Sequence, residues 1–383
     1  MIYADNAATT RLSEEALQAM LPWLGEQYGN ASTLYKLGRE SHKALEAARK
    51  EMARGIQAQP MEICFTSGGT ESDNWALKGT MHKLAAAGKT HLITSAIEHH
   101  AILHSCKALE KEGFAVTYLP VSSEGVVDPE AVRAAIRPET GMVSIMYANN
   151  ETGVIQPVAE IGSICREAGV IFHTDAVQAA GALPIDVRAQ KIDLLSMSAH
   201  KFHGPKGIGI LYCRRSAVPG TYMDGGDQER GHRAGTENVA AIVGMAAAFS
   251  QTLAEQQEKA DRLRRLRDCV EQGLLQIPGS RRNGSREDRL PGTLNVAFDG
   301  IDGQSLLMEL DLQGIAASAG SACNSGSMTP SHVLLAMGLP YRMAHGSLRL
   351  SFGRYNREEE AEEIVRAVTR AVEELRAHPV RMN

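Results

Sequence analysis

One lysine of the sequence, Lys201, occupies a place where an amine can react. It lies in MSAHKFHGPKGIGIL, after an apolar run that predicts a β-strand and before a Gly-Pro turn. The carboxyl end of a strand in an α/β protein faces the crevice in which such proteins bind ligands. A lysine buried there can lose its proton and attack a carbonyl carbon, and Ser198 and His200 beside it can donate hydrogen bonds to an anion. A solvated surface lysine is the alternative.

Asp175 and Gln178, in HTDAVQAAG, also follow a predicted strand. A carboxylate at this position can pair with a protonated ring nitrogen, as enzymes that use pyridoxal 5'-phosphate (PLP) require. The other interpretation of Asp175 is a cap for the helix that follows. The residues of this segment alone fit both roles.

Two further segments follow predicted strands. FTSGGTESDN carries two glycines and opens a helix, so that the backbone around Gly69 and Thr70 is a candidate phosphate cradle. It lacks the spacings of Walker and dinucleotide-binding loops, and a capped turn is the alternative. In AIEHHAIL, the imidazole of His99 can stack on a flat ring or move protons. A helix cap is the alternative for His99, and His100 is interpreted as structural. Taken together, the four segments supply the parts of a PLP site.

Cys323 lies in GIAASAGSACNSGSMTPSH, among glycine, alanine and serine residues. Small neighbours leave a thiol accessible and allow it to ionise more readily than in an apolar pocket. The other cysteines, at 64, 106, 165, 213 and 269, fall in helix or strand patterns and are predicted to be inert packing residues. Because none of the six cysteines forms a C-x-x-C motif and no targeting segment is evident, we expect a reducing, cytoplasmic location.

Strand and helix patterns alternate through the first two thirds of the chain, which predicts an α/β fold with a mostly parallel sheet flanked by helices. A long helical pattern over 237–276 leads into a smaller α+β part with strands near TLNVAF, GIAAS and SLRLSF. PGSRRNGSREDRLPG, between them, is predicted to be a surface loop. We therefore predict a large domain over 15–255 and a small domain over 1–14 and 256–383.

Composition excludes some classes of function. The 383 residues have a net charge of −5, and their one basic cluster, RLRRLR from Arg262 to Arg267, falls in a predicted helix. A solvated helix face is the main interpretation, and an acidic partner protein is the alternative. We expect no nucleic-acid surface and, because no apolar run reaches the ~18–20 residues of a membrane helix, no membrane span.

Long motifs give the whole chain a resemblance to the cysteine desulfurases of the NifS/IscS-like group, which are class-V aminotransferase family members with the fold-type I PLP architecture. The motifs stand in the family's order: YADNAATT, YGNAS, FTSGGTESDN, ANNETG, HTDAVQ, SAHKFHGPKG, GGDQERGHRAGTEN, GSACNSG and LRLSFGRYN. The resemblance implies that Lys201 binds PLP covalently, that Asp175 pairs with its pyridine nitrogen and Gln178 with its phenolic oxygen, and that His99 stacks on the ring. The phosphate would be held by Gly69, Thr70, Ser198 and His200.

The resemblance also implies the rest of the reaction. Asn150 and Arg349 would bind the carboxylate of L-cysteine, and Cys323 would take its sulfur as a persulfide, releasing L-alanine. Thr236 would reach the phosphate of the neighbouring subunit in a homodimer. The sulfur would pass to an acceptor protein such as an iron–sulfur scaffold, and no metal is implied. Asn324 departs from the Ser or Thr that usually follows the nucleophile.

Other functions remain open from sequence. A selenocysteine lyase or related PLP β-lyase would use the same ring chemistry. A PLP aminotransferase has no use for a presented thiol, and a non-enzymatic scaffold has no use for the full set of Lys201, Asp175, His99, Cys323 and Arg349.

Overall fold

The computed structural model describes residues 1–319 and 330–378 of the chain. The strands of this part are β1 Ile2–Tyr3, β2 Ile63–Thr66, β3 His91–Ser95, β4 Ala115–Leu119, β5 Thr140–Ser144, β6 Ile171–Asp175, β7 Leu194–Ser198, β8 Gly209–Cys213, β9 Ser280–Arg282, β10 Thr293–Phe298, β11 Ile315–Ala316 and β12 Ser347–Ser351. Its α-helices are α1 Glu14–Leu24, α2 Lys36–Gly55, α3 Gly69–Asn74, α4 Thr80–Ala85, α5 His100–Lys111, α6 Pro129–Ala135, α7 Val158–Ala168, α8 Val239–Ala254, α9 Gln256–Leu274, α10 Gly303–Leu312, α11 His332–Ala336, α12 Tyr341–His345 and α13 Glu360–Ala377. A π-helical turn, Trp75–Gly79, joins α3 to α4.

The largest sheet has the strand order β2-β8-β7-β6-β5-β3-β4. Strands β4, β3, β5, β6 and β7 are mutually parallel, and β8 runs antiparallel to both of its neighbours. Every residue of β3, β5, β7 and β8 is buried, as expected for strands that are covered on both faces. The predicted mostly parallel α/β sheet is confirmed.

Helix ends follow the local sequence signals. The Asp128 side chain accepts a hydrogen bond from the N–H of Glu130, and Pro129 occupies the first position of α6. Gly169 ends α7 in the left-handed conformation, with φ 66°, which glycine adopts without steric cost. Asp128 thus marks the start of α6, and Gly169 ends α7 just before β6.

The small sheet, β12-β10-β9, is antiparallel, and β1 pairs in parallel with β11 beside it. Ile2 and Ala4 share a hydrophobic cluster with residues of α9 and α13, so the N-terminus packs with the C-terminal part of the chain. The division into 15–255 and 1–14 plus 256–383 stays a prediction.

Two local predictions were wrong. The helical pattern over 237–276 forms two helices, α8 and α9, because Glu255 leaves the helical conformation (φ −101°, ψ 1°) and accepts a hydrogen bond from Arg354. The segment 278–292 contains β9, whose backbone pairs with β10. Sequence periodicity did not show this pairing because the partner strand, not the pattern of the segment, stabilises β9.

The arginines of the basic cluster have partners within the chain. Arg264 and Arg265 pair with Asp261 and Glu358, while the remaining two donate to backbone oxygens. These two are Arg262, which bonds to the carbonyls of Arg354 and Asn356, and Arg267, which bonds to that of Leu290. Among residues 1–319 and 330–378, every helix is too short or too polar to span a bilayer.

Candidate active site

A cavity of about 530 Å³ opens at the carboxyl edge of the large sheet. The loops that follow β2, β3, β6 and β7 line it, which is where ligands bind in such sheets. The structure brings most of the predicted site residues to this cavity: Gly69, Thr70, His99, Asn150, Asp175, Gln178, Ser198, His200 and Lys201. A smaller cavity of about 240 Å³ adjoins it and adds Arg349.

Lys201 ends a 3-10 turn, Ala199–Lys201, that directly follows β7. Its Nζ donates hydrogen bonds to the carbonyl oxygens of Ala7 and Ala8, at 2.5 and 2.8 Å. Gln178 Nε2 donates to the same Ala7 oxygen at 3.0 Å. The amine is thus held in the cavity by the N-terminal segment, which the analysis of individual motifs did not identify as part of the site.

Asp175 ends β6 with its side chain buried. Its Oδ1 accepts a hydrogen bond from the N–H of Val177 at 2.9 Å in a turn, and no helix lies between β6 and β7, so the interpretation of Asp175 as a helix cap is wrong. Burial raises the pKa of Asp175, and the nearby charges of His99 and Lys201 act in the opposite direction. A cation placed against this carboxylate would stabilise its ionised form.

Asp73 was missed by the sequence analysis, although it lies within FTSGGTESDN. It lines the same cavity, it is fully buried, and its Oδ1 has no hydrogen-bond partner among the described residues. Burial, together with the charge of Asp175, raises its pKa. Asp73 lies four residues after Gly69 on α3, and residues four apart share one face of a helix. This spacing was the signal that could have placed Asp73 beside the predicted cradle.

His99 caps α5, since its Nδ1 accepts a hydrogen bond from the N–H of Ala101 at 3.1 Å. A neutral ring in this arrangement carries its proton on Nε2. The preceding Glu98 is fully buried, where its Oε1 accepts bonds from Ser95 Oγ and Met146 N at 2.6 and 3.0 Å. Glu98 was also missed, because sequence does not distinguish a buried glutamate from an exposed one.

The segment after β2 approaches β8 and β7 closely. Gly68 has φ 151°, and a Cβ at Gly209 would lie 2.7 Å from the Gly68 Cα. A Cβ at Gly69 would lie 2.6 Å from Val177 Cγ2. Glycine at positions 69 and 209 therefore allows the segment after β2 to lie against Val177 and β8, and its backbone is a candidate phosphate cradle near Ser198.

His200 borders this cradle and has a hydrogen-bond contact, Nδ1 to Thr9 Oγ1, at 3.2 Å. Burial, followed by the charges of Lys201 and Lys206, lowers the pKa of His200 to about 4. The ring is therefore neutral at pH 7 and can offer one N–H to an anion, while Lys206 supplies positive charge at the same edge.

Arg349 lies on β12, with its side chain only 2% exposed. Its Nη2 donates to Asp5 Oδ1 at 2.7 Å and its Nη1 to the carbonyl oxygen of Asn150 at 3.0 Å. Its Nε has no hydrogen-bond partner among the described residues. The guanidinium retains donors suited to a carboxylate ligand.

The family model for aminotransferase class-V matches residues 2–364 of the chain. The chain belongs to the aminotransferase class-V family. A cysteine desulfurase IscS of Methanosarcina thermophila is 51% identical over 375 residues, covering 98% of this chain and 93% of the relative. The cysteine desulfurase IscS of Clostridium botulinum (strain Hall) is 48% identical over 378 residues, covering 98% and 95%. This near full-length similarity confirms the resemblance found from the motifs.

Solved structures of similar proteins have the same fold. A NifS-like protein superposes with a TM-score of 0.92 at 39% identity, covering 98% of this chain and all of that one. A structure described as SspA in complex with cysteine gives a TM-score of 0.82 at 37% identity, covering 93% of this chain and all of that one. The predicted architecture is thereby confirmed.

Thr236 and Cys323 complete the set of predicted site residues. Thr236 is exposed and does not line the cavity of its own chain. Cys323, with Asn324, lies outside the described residues. Among the other cysteines, Cys64, Cys106, Cys165 and Cys213 are buried as predicted, but Cys269 is exposed on α9 because it lies on the outer face of that helix.

Proposed function

We propose that this member of the aminotransferase class-V family is a PLP-dependent cysteine desulfurase that converts L-cysteine to L-alanine and transfers the sulfur to Cys323. One observation carries the proposal. Two adjacent cavities bring together the Lys201 amine, the buried Asp175 carboxylate and the buried Arg349 guanidinium. The names of the relatives at 51% and 48% identity support the same activity.

The residues present fit PLP. A Cβ at Gly69 or Gly209 would clash with its neighbours in the cradle, and the volume of the cavity is suited to a cofactor of this size. Lys201 would bind the cofactor covalently, Asp175 would face its ring nitrogen, Gln178 its phenolic oxygen and His99 its ring. Thr70, Ser198 and His200, with Gly69, would hold the phosphate. When bound, PLP supplies an electron sink that weakens bonds at the substrate's α-carbon and β-carbon.

The substrate's carboxylate would bind to Arg349 and Asn150. Because the guanidinium is buried, its attraction to a carboxylate is less screened than it would be in water. Asp175 would keep a proton on the ring nitrogen of the cofactor. His99, with its Nδ1 engaged by α5, would move a proton through Nε2.

The sulfur step would use Cys323. Its thiolate attacks the sulfur of bound cysteine, forming an S–S bond while the C–S bond breaks. The electron pair of that bond remains with Cβ, which gains a proton and becomes the methyl group of alanine. The persulfide then passes its sulfur to an acceptor protein, for example in iron–sulfur cluster assembly. A cytoplasmic location also remains a prediction.

We further propose a homodimer in which Thr236 completes the phosphate site of the partner. Its exposure, outside the cavity of its own chain, supports this role. An exposed apolar surface supplies area for an interface. We call it the α1–α2 surface, and it consists of Leu21, Leu24, Tyr28, Leu34 and Tyr35.

The proposal is tested with purified protein, L-cysteine and a thiol reductant. We expect a yellow protein that forms equal amounts of alanine and sulfide without any 2-oxo acid. The Lys201→Ala variant should lose the visible absorption band and the turnover, since it removes the amine that would bind the cofactor covalently. Cys323→Ala should keep the band but lose sulfide release by about 100-fold or more, as for loss of a nucleophile.

Cys269→Ala is the matched control, because it removes an exposed thiol on α9. Full sulfide release by Cys323→Ala would show that the nucleophile is misassigned. A colourless wild type without cysteine turnover would contradict the proposed function as a whole.

A further inference from the structure

The N-terminal segment contacts site residues that come from three different parts of the chain. The carbonyl oxygens of Ala7 and Ala8 accept from Lys201, and that of Ala7 also accepts from Gln178. Two residues earlier, Asp5 contacts Arg349. The role assignments above leave Asp5 without a function, although it contacts the residue expected to bind substrate.

Backbone pairing fixes Asp5 beside Arg349. Asp5 forms a parallel bridge with Ser351, two residues beyond Arg349 on β12. On the other side, Arg349 and Ser318 exchange backbone hydrogen bonds of 2.6 and 3.2 Å. The backbone hydrogen bonds therefore place Asp5, Ser318 and Arg349 side by side.

Both oxygens of the Asp5 carboxylate are used. Oδ1 accepts from Arg349 Nη2 at 2.7 Å, and Oδ2 accepts from Ser318 Oγ at 2.9 Å. The Asp5 side chain is 16% exposed, so this pair is largely shielded from water. A carboxylate bonded at both oxygens has little freedom to turn, and so it fixes the plane of the guanidinium.

The guanidinium is bound at two of its nitrogens. Nη2 is bound to Asp5 and Nη1 to the carbonyl of Asn150, whereas Nε has no partner among the described residues. An arginine side chain loses considerable conformational entropy when it is ordered, and ordering it before ligand arrives removes that penalty from binding. Asp5 also compensates the buried charge while the ligand is absent.

We propose that Asp5 is a positioning residue that holds the Arg349 guanidinium in place for the α-carboxylate of an amino acid substrate. This inference rests on the proposed function, which gives Arg349 its ligand. Loss of Asp5 should weaken binding of carboxylate ligands. It should have much less effect on the steps that follow binding, because Asp5 contacts neither Lys201 nor Asp175 through any hydrogen bond of the described residues.

The test compares wild type, Asp5→Ala and Asp5→Asn as holoenzymes. For Asp5→Ala we expect KM for L-cysteine to rise about 10- to 100-fold, the range for losing a hydrogen bond to a charged group, with kcat within about 3-fold. Asparagine retains an acceptor for Nη2, and its N–H can donate to Ser318 Oγ. Asp5→Asn should therefore recover most of the affinity.

A binding measurement separates positioning from general loss of structure. By calorimetry, wild type should bind L-alanine more tightly than L-alaninamide, which lacks the carboxylate. In Asp5→Ala this preference should shrink about 10-fold or more. Asp268→Ala is the control, because it removes a carboxylate that pairs with Arg267 on α9, away from the cavity, and it should leave the preference unchanged.

Unchanged KM and unchanged ligand preference in Asp5→Ala would overturn the inference, as would a fall in kcat equal to that in kcat/KM. If Asp5→Ala does not fold, Ser318→Ala serves instead. It frees one oxygen of Asp5 and should raise KM a few-fold, and an unchanged KM would count against the inference. Failure of the proposed function is distinct, because wild type itself would then not turn over cysteine.

Discussion

Three carboxyl groups, those of Asp73, Glu98 and Asp175, are buried around His99. In each case burial raises the pKa, and the negative charge of Asp175 adds to the effect at Asp73 and Glu98. Such a cluster of perturbed groups is typical of functional sites, where carboxyl groups in different environments take different protonation states. Glu98, whose pKa is raised to about 8, is therefore mostly protonated at pH 7.

Glu98 makes stability depend on pH in a predictable direction. Its pKa rises from an ordinary value of 4.5 to about 8 on folding, so the stabilisation that it gives at low pH is lost as pH rises through 8. In Glu98→Gln, which is uncharged at any pH, this loss should be absent. The free energy of unfolding of wild type relative to the variant should fall by roughly 3–5 kcal/mol between pH 5 and 9.

Urea unfolding at a series of pH values measures this difference. Glu124→Gln, at an exposed position, is the control and should follow wild type. A Glu98→Gln variant whose stability runs parallel to that of wild type across this pH range would show that Glu98 is not protonated in the folded state.

At the scale of elements, a buried ion pair joins α2 to the segment that carries Thr236. Arg49 and Glu229 are 5% and 3% exposed, and they make two hydrogen bonds of 2.7 and 2.9 Å. Glu229 also accepts from the N–H of Phe65 on β2. Both Glu229 (φ 45°) and Arg230 (φ 61°) adopt the left-handed region, which is unfavourable for residues with a side chain. The ion pair holds this strained turn in place.

Glu229→Gln should therefore be strongly destabilising. It removes the buried charge that bonds to both terminal nitrogens of the Arg49 guanidinium and leaves only the more exposed Glu46 as a counter-charge, so the free energy of unfolding should fall by about 3–5 kcal/mol. Glu40→Gln, which removes an exposed pair with Lys43, should change it by less than about 0.5 kcal/mol. Equal stability losses in the two variants, measured by denaturant unfolding, would contradict this role of the buried pair.

At the scale of the whole molecule, the N-terminal segment connects the two sheets. Asp5 forms a bridge with Ser351 on β12 of the small sheet, and Thr10 Oγ1 donates to the His200 carbonyl, in the turn after β7 of the large sheet, at 2.9 Å. On the outside, the α1–α2 surface leaves large apolar side chains in water, with Leu34 89% exposed and Leu24 64% exposed. Exposed apolar patches of this kind mark interaction sites.

We predict that Leu24→Glu combined with Leu34→Glu converts a dimer into monomers. Charged side chains at these positions would be buried without partners in an interface. Light scattering measures the mass, and the monomer should also lose activity, because Thr236 would no longer reach the partner's site. Leu312→Glu, at an equally exposed position on α10, is the control, and retention of the dimer by the double variant would exclude the α1–α2 surface as its interface.

The sequence by itself determined the alternation of strands and helices and the chemistry at the strand ends. Lys201, Asp175, His99 and the Gly69 cradle were found because each motif directly follows its own apolar strand. Strand period, caps and parallel connections are local properties, so they can be read from neighbouring residues. Their convergence at one edge then follows from the parallel direction of the strands.

Only the tertiary structure decided the contacts between distant residues. Asp5 and Arg349 lie 344 residues apart, and Asp73 and Glu98 gain their properties from burial beside Asp175. The break at Glu255 and the pairing of β9 likewise depend on partners elsewhere in the chain. The physical reason is that hydrogen bonding and desolvation depend on the groups that surround a side chain in space, which local patterns do not specify.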